Sequence, residues 1–344
     1  MYKPSYKLVV IATDGSIDIT NENLPTVFIV TQNDSSFQYR VKGFKSGDRI
    51  VSQLSVPGSI SNQESFADGE VSLQFAVDGV IARLTLRGLS ADQDSKVLAT
   101  ENLNNLFGSG TYGLRVSSET LDQQELLTGK LWEGEFGDDF IRGTRGADTI
   151  VGSPGNDLFD GDDGLDKVLY GSSRNSFDIS SNTFGWKVFN RLSENDTDDL
   201  TGVERLVFRD VSVALDLDAN AGTVVKILGA VFGKAAVANG SYAGIGLHYL
   251  DNLGYSYEQL MTLAINAALG PTPTNDQVVD LLYKNVVGVL PDAATRAMLV
   301  GMLDRKEQTI GSLGILAAET DLNKANIDLV GLAKTGLEYE PFQS

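Results

Sequence analysis

Apolar and polar residues alternate in short runs over residues 1–127, which is the pattern of strands with one buried face. Pairs such as Asp14-Gly15 and Ser46-Gly47 separate the runs and are typical of tight turns. The runs cover Lys7–Thr13, Thr26–Thr31, Phe37–Val41, Arg49–Val56, Glu70–Val77 and Ile81–Leu86. This spacing predicts an N-terminal β-sandwich domain over residues 1–127.

From residue 219 onward the apolar residues recur with helical spacing instead. The clearest example follows Thr274, which forms a capping box with Gln277 ahead of a broad apolar face. The predicted helices are Ala221–Phe232, Ser241–Leu253, Ser256–Leu269, Asn275–Val287, Asp292–Leu303, Thr309–Ala318 and Leu322–Ala333. Short helices joined by short loops predict a C-terminal α-helical bundle over residues 219–344.

Between these regions the chain repeats every nine residues, as GEFGDDFIR, GTRGADTIV, GSPGNDLFD and GDDGLDKVL from residue 134 to 169. Glycine takes the first and fourth places of each block, aspartate the sixth, and an apolar residue the eighth. The eighth-place residues are Ile141, Ile150, Phe159 and Val168. A disordered Gly/Asp-rich linker is the alternative interpretation, but such linkers do not keep an apolar residue at every ninth position.

The columns of the repeat predict a metal site. Glycines permit a tight turn, and the residues after each aspartate form a short strand, so that one block is half of a coil. Stacked turns then offer carbonyl oxygens and two carboxylates, the ligands that Ca²⁺ prefers, in about two complete sites. The candidate ligands occupy the first, third and sixth places: Gly134, Phe136, Asp139, Gly143, Arg145, Asp148, Gly152, Pro154, Asp157, Gly161, Asp163 and Asp166.

The pattern resembles the RTX, or haemolysin-type, calcium-binding repeat of proteins exported by bacterial type I secretion. The resemblance implies a central parallel β-roll, which with its capping strands spans residues 128–218. It also implies export to the cell surface or the medium without a cleaved N-terminal signal. The chain departs from the pattern at the second place, with Glu135, Thr144, Ser153 and Asp162, and at the fifth place, with Ala147 and Leu165.

The flanks of the repeat carry further predictions. Residues 118–133 are predicted to form a short helix, after which Leu131 and Trp132 cap the first coil. The segment 198–210 resembles the sequence that commonly follows RTX repeats. The predicted strands after the repeat are Lys167–Gly171, Ser176–Ser180, Trp186–Asn190, Glu204–Phe208 and Ser212–Leu217. The residues Asn195, Asp196 and Asp198 are either an added calcium ligand set or a solvated acidic loop, and the second interpretation is favoured because charge clusters are usually solvated.

Three other segments carry resemblances. Residues 84–94 and 103–112 are similar to a segment of β-domains in bacterial surface-layer-like proteins. Residues 274–294 resemble the core motif of a helical domain of unknown function that follows RTX repeats. The acidic and aromatic segment 336–344 is compatible with an uncleaved secretion signal.

Composition and charge limit the classes of binding partner that the chain is expected to have. Lys and Arg number 27 against 46 Asp and Glu, and the formal net charge of −19 disfavours nucleic acid and anionic membranes while favouring divalent cations. The chain has no cysteine, which excludes disulfides and zinc–thiolate sites. The sequence contains no run long enough for a transmembrane helix, and its start lacks the apolar core of a signal peptide.

Motifs for catalysis are missing from the sequence. It contains neither His-Glu-x-x-His nor Gly-x-Ser-x-Gly, and His248 is its single histidine. Asp251 lies one helical turn beyond His248 and could orient the imidazole, but no motif marks a nucleophile. We therefore expect that the protein is not an enzyme. A secreted enzyme that uses a pair of carboxylates, as in glycoside hydrolysis, is kept as an alternative hypothesis.

Two other hypotheses remain. The first is a secreted structural protein, a subunit of a self-assembling, calcium-stabilised extracellular array such as a surface layer or filament. The second is a secreted adhesin or ligand-binding module whose N-terminal domain binds cell-surface glycan or a host protein. The expected partners are further copies of the chain and the type I secretion apparatus.

Overall fold

The computed structural model describes residues 6–31, 36–52, 59–61, 69–77, 80–97, 101–108, 111–115, 128–182, 185–193 and 195–342. Within these residues the chain forms several sheets and ten α-helices, most of them in the C-terminal region. The mixed α+β class is therefore confirmed. The chain divides into two compact units, one of residues 1–169 and 175–203 and the other of residues 170–174 and 204–344. The predicted domain boundaries after residues 127 and 218 stay predictions.

The N-terminal region forms two sheets, and its first six described strands belong to them alternately. The first has the order β1 (Lys7–Ile11), β3 (Thr26–Val30), β5 (Arg49–Ser52) and β9 (Tyr112–Arg115), all parallel. The second has the order β2 (Gly15–Asp18), β4 (Phe37–Lys42), β8 (Val80–Arg87), β7 (Glu70–Val77) and β6 (Ser59–Ser61). Strands β2, β4 and β8 are parallel, and the other pairs are antiparallel.

The predicted β-sandwich corresponds to two sheets that share one apolar cluster, but most of their strand pairs are parallel, whereas tight hairpin turns join antiparallel strands. Every residue of Thr26–Val30 is buried, because one face of the first sheet packs on the second sheet and the other face is also covered. A strand covered on both faces reads as a continuous apolar run, which is typical of parallel sheets. The predicted strand residues 53–56 and the turn residues Asp68, Asp78 and Gly79 lie outside the described residues.

The repeat segment forms a second, smaller coil in the same unit. On one side β10 (Leu131–Glu133), β12 (Thr149–Val151) and β14 (Lys167–Leu169) are parallel. On the other side β11 (Phe140–Arg142), β13 (Leu158–Asp160) and β17 (Thr197–Thr201) are parallel, and β16 (Gly185–Asn190) and β15 (Phe177–Asn182) continue the sheet antiparallel. This alternation is the one expected of a β-roll. The eighth-place apolar residues point into it, and all are buried.

The start of the roll differs from its prediction. Residues 131–133 form β10 rather than the end of a helix, with Trp132 buried opposite Ile150 and Leu131 61% exposed. Residues 118–127 of the predicted helix lie outside the part of the chain that the structure describes.

The second unit combines a small antiparallel sheet with helices. The sheet contains β18 (Arg205–Val207), β19 (Ser212–Ala214) and β20 (Leu337–Tyr339). The helices of this unit are α3 (Asn220–Phe232), α4 (Gly240–Leu247), α5 (Tyr257–Leu269), α6 (Asn275–Val287), α7 (Ala293–Asp304), α8 (Ile310–Ala318), α9 (Asp321–Asn326) and α10 (Leu329–Thr335). In the N-terminal region, α1 (Ala91–Lys96) and α2 (Glu101–Phe107) lie in the segment predicted as helical or irregular.

The predicted helices differ from these in two places. The prediction Ser241–Leu253 corresponds to α4 followed by a π-helical turn at His248–Asn252. The prediction Leu322–Ala333 is divided into α9 and α10 at Asp328, which has a left-handed φ of 49°. Among the described residues no helix is both long and apolar enough to cross a bilayer.

Candidate metal centre

The sixth-place aspartates close the turns of the roll. The Oδ2 atom of Asp139 accepts the backbone N–H of Glu135 at 2.8 Å, and that of Asp148 accepts the N–H of Thr144 at 2.7 Å. In each case the donor lies four residues earlier in the same block, so the carboxylate satisfies a backbone group that the tight turn leaves open. The aspartate column is therefore required by the local fold before any metal is considered.

The same aspartates also connect stacked turns. The N–H of Asp139 donates to Oδ1 of Asp157 at 2.9 Å, and the N–H of Asp148 donates to Oδ1 of Asp166 at 2.6 Å. Donor and acceptor are separated by 18 residues in both pairs, which is two blocks. Turn 134–139 therefore stacks on turn 152–157, and turn 143–148 on turn 161–166, as the repeat predicts.

Fourth-place glycines bring backbone carbonyls close to the next turn. Gly155 and Gly164 have φ values of 152° and 149°. A Cβ atom on Gly155 would lie 2.3 Å from the carbonyl oxygen of Gly137, and one on Gly164 would lie 2.6 Å from that of Gly146. Only glycine allows this approach, and it lines up carbonyl oxygens along the stack.

The stacked carboxylates have an unfavourable electrostatic environment. Asp139, Asp148, Asp157 and Asp166 are all buried, with Asp157 only 2% exposed. Burial raises the pKa of Asp157 to about 7, and the carboxylates of Asp139 and Asp138 act in the same direction against the hydrogen bond from the Asp139 N–H. A divalent cation held between the turns would offset this burial and repulsion.

The first-place glycines lie beside these carboxylates. A Cβ atom on Gly143 would lie 2.7 Å from both Oδ2 of Asp148 and the carbonyl oxygen of Gly161. Among the third-place residues, the carbonyl of Pro154 accepts the N–H of Gly137 at 3.0 Å, and the side chain of Phe136 is 86% exposed. Third-place residues can thus offer calcium only their backbone carbonyls or, at Asp163, a carboxylate as well.

Acidic side chains alone do not build a site here. In the part of the chain that the structure describes, no three Asp, Glu or His side chains are grouped so as to hold a metal ion. Two carboxylates with backbone carbonyls from two stacked turns form a different, oxygen-only set that suits Ca²⁺. The residues present therefore fit this ion, and the individual ligand assignments stay predictions.

One aspartate that the sequence analysis assigned to a solvated loop lies in the same column. Strand β17 pairs with β13 so that Leu200 lies opposite Phe159, and the N–H of Asp157 donates to Oδ1 of Asp198 at 3.2 Å. Asp198 is 1% exposed. The sequence does contain the signal, because Asp198 and Leu200 have the spacing of sixth- and eighth-place residues. The hairpin 177–190 separates them from the other blocks.

The neighbouring acidic residue has a different environment. Asp196 accepts a hydrogen bond from the Asn190 side chain at 2.9 Å, and burial raises its pKa. At the opposite end of the roll, Lys130 stands where the blocks have aspartate, and its N–H donates to Oδ1 of Asp148 at 2.6 Å. A turn with lysine in this column cannot supply a second carboxylate.

The comparison with protein families agrees with this geometry. Residues 133–168 match the family model for the RTX calcium-binding nonapeptide repeat, in four copies. The central segment is an RTX repeat array. RTX repeats indicate calcium binding, and proteins that carry them are typically exported. Compared with curated proteins, the chain has no match.

The histidine considered for catalysis is not paired with Asp251. Oδ2 of Asp251 accepts from Arg205 at 2.7 Å and Oδ1 accepts from Asn220 at 2.8 Å. The ring of His248 instead lies against Phe342, with 4.8 Å between ring centroids. Asp251 thus binds the buried Arg205, which also pairs with Asp216.

Proposed function

We propose that this chain is a secreted, calcium-binding structural protein, a subunit of a calcium-stabilised extracellular assembly such as a surface layer or filament. The observation that carries the proposal is the RTX array, whose buried carboxylates repeat in register. The acidity of the whole chain supports a second use of calcium, because divalent cations can bridge subunits that otherwise repel.

Three pairs of turns supply two carboxylates each. Asp139 and Asp157 belong to the first pair, Asp148 and Asp166 to the second, and Asp157 and Asp198 to the third. Glycine carbonyls lie within the same turns in the first two pairs. Bound calcium supplies the positive charge that stacked carboxylates need, and the turns then hold the roll in its folded register.

Assembly is tested by electron microscopy of the purified chain moved from chelator into millimolar calcium. We expect sheets, tubes or fibres that dissolve when chelator is returned. Particles that stay monomeric at high protein concentration would contradict the structural proposal and favour the adhesin, which a glycan-binding assay would then examine. The variant Asp148→Ala removes one candidate ligand, and its assembly should require more calcium than that of the unchanged chain.

The third pair of turns is tested by calcium stoichiometry in isothermal titration. We expect about three ions per chain, and about one fewer in Asp198→Asn. Asp178→Asn is the control, because Asp178 lies in the neighbouring hairpin and pairs with Arg191 at the surface. Equal stoichiometry in Asp198→Asn and the unchanged chain would remove Asp198 from the ligand set.

A further inference from the structure

The central part of the outer face of the first N-terminal sheet is buried, whereas Val10 of the edge strand β1 is 51% exposed. Val27, Ile29 and Val51 on this face are fully buried, in one apolar cluster with Phe140 and Leu158 of the roll. Tyr6 completes the cluster, and Leu8 packs against it. The sheet is therefore covered on this side by strands β11 and β13, which are the strands that follow the calcium turns 134–139 and 152–157.

Ion pairs surround this apolar cluster. Arg49 of β5 is 5% exposed and pairs with Asp199 of β17, whose other oxygen lies 3.1 Å from Nζ of Lys187. The hydroxyl of Tyr6 donates to Asp160 of β13. Asp199 directly follows Asp198, and Asp160 ends the block of Asp157, so the partners of the N-terminal sheet are placed by the aspartate column.

Arg142 connects two carboxylates within the roll, next to this contact. Its guanidinium lies 3.2 Å from Asp160 and 2.7 Å from Asp162, and both carboxylates are almost entirely buried. Removing the roll strands would leave Arg49 without Asp199 and would expose the apolar face. Both changes are costly, since a buried charge and a buried apolar surface each depend on the partner that covers them.

The sequence of the repeats shows that this contact is specific to one side. The seventh-place residues on the covered side are Phe140 and Leu158, whereas those on the other side are Thr149 and Lys167. Phe140 and Leu158 are buried, and Lys167 is exposed. The seventh-place residues of β11 and β13 thus suit the apolar face of the N-terminal sheet, and those of β12 and β14 are polar.

We infer that calcium controls the N-terminal sheet through this contact: strands β1, β3 and β5 reach their native protection only when the calcium-loaded roll covers them. The inference rests on the proposed calcium-dependent folding of the roll. A calcium-free chain then keeps the core between its two N-terminal sheets but presents Val27, Ile29 and Val51 as an open apolar surface.

The test is hydrogen–deuterium exchange with mass spectrometry on the full chain across a calcium titration. Peptides containing β3 and β5 should gain protection at the same calcium concentration as peptides containing β12 and β13. The exchange of β3 and β5 should slow by about tenfold or more. Full protection of β3 and β5 in chelator, with a calcium-dependent roll, would overturn this inference alone. A roll that does not respond to calcium would overturn the proposed function and this inference together.

A variant distinguishes the effect of the roll on the N-terminal sheet from a general loss of stability. Arg49→Met keeps an apolar side chain in β5, leaves every candidate ligand in place and leaves Lys187 beside Asp199. It should shift the protection of β3 and β5 to severalfold higher calcium while the response of β12 stays unchanged. Lys42→Met is the control, because Lys42 pairs with Asp18 on the exposed side of the second sheet. Equal shifts in Arg49→Met and Lys42→Met would overturn the inference.

Discussion

The first unit contains two parallel coils that are stabilised by different means. In the N-terminal coil the strands are four to eight residues long apart from β6, and large side chains such as Phe28, Ile50 and Leu84 fill the space between the sheets. In the roll, β10 to β14 have three residues each and give the interior one apolar side chain apiece. Burial of one such side chain contributes about 1.5–3 kcal/mol.

The roll compensates for its thin interior with turns that carboxylates close. Those carboxylates are buried and repel one another, so the same groups that fix the turns also oppose folding unless a cation is present. Two coils of parallel strands can therefore differ in how directly their folding depends on a metal ion. The difference depends on whether apolar side chains or charged turns hold the coil together.

Removal of calcium should produce the largest difference in behaviour between the two coils. In excess chelator the roll should lose its strand signal in circular dichroism, because its stacked aspartates then repel without compensation. The helices of the second unit have their own apolar core, and their helical signal in circular dichroism should be unchanged. A complete strand signal in chelator would show that the roll does not need the metal.

Phe28→Ala should damage the N-terminal coil at any calcium concentration. Phe28 is fully buried between the sheets, and its truncation should cost about 3–5 kcal/mol in urea unfolding. Added calcium should not restore the loss, because the cavity lies in an apolar cluster that contains no candidate calcium ligand. Val10→Ala is the control, since Val10 of the same sheet is 51% exposed and should change stability by less than about 0.5 kcal/mol.

Asp157→Ala should have the reverse profile. It removes a carboxylate that two of the proposed sites share, and the calcium midpoint of roll folding should rise by about tenfold or more. Saturating calcium should recover part of the fold, which distinguishes this variant from Phe28→Ala. Glu135→Gln removes a negative charge from the exposed second place and should leave the midpoint nearly unchanged. Equal midpoints for Asp157→Ala and Glu135→Gln would count against the aspartate column.

A change of pH should have a weaker effect, and it should act through the roll. The pKa of Asp157 is raised to about 7 in the folded, calcium-free roll, against about 3.9 for an aspartate in an unfolded chain. Folding therefore takes up a proton between these values, and the stability of the calcium-free roll falls as pH rises towards 7. Calcium competes with that proton, so its midpoint should be higher at pH 6 than at pH 8, by up to about tenfold. In Asp157→Asn this dependence should shrink.

The sequence predicts most strongly where short-range rules decide the structure. The capping box of Thr274 and Gln277 forms as expected, with α6 spanning Asn275–Val287. The nine-residue columns likewise predict which turns of the roll stack. Both follow from residues close together in the chain or at a fixed spacing, which a single sequence displays directly.

Long-range pairing is what the sequence does not display. Alternation in β1 to β5 indicates strands, but it does not indicate whether the next strand joins the same sheet or the facing one. Asp198 was assigned to a solvated loop because an inserted hairpin breaks the period ahead of it. The apolar seventh-place residues Phe140 and Leu158 are visible in the sequence, yet only the fold shows that the N-terminal sheet covers them.

Strand β20 has a consequence for the order in which the second unit folds. It pairs with β19, and its residues Leu337 and Tyr339 are buried, while the N–H of Glu340 donates to the carbonyl of Gly240 at 3.1 Å. Helices α3 to α10 all lie between β19 and β20 in the chain. The sheet of the second unit is therefore completed only after these helices have been synthesised.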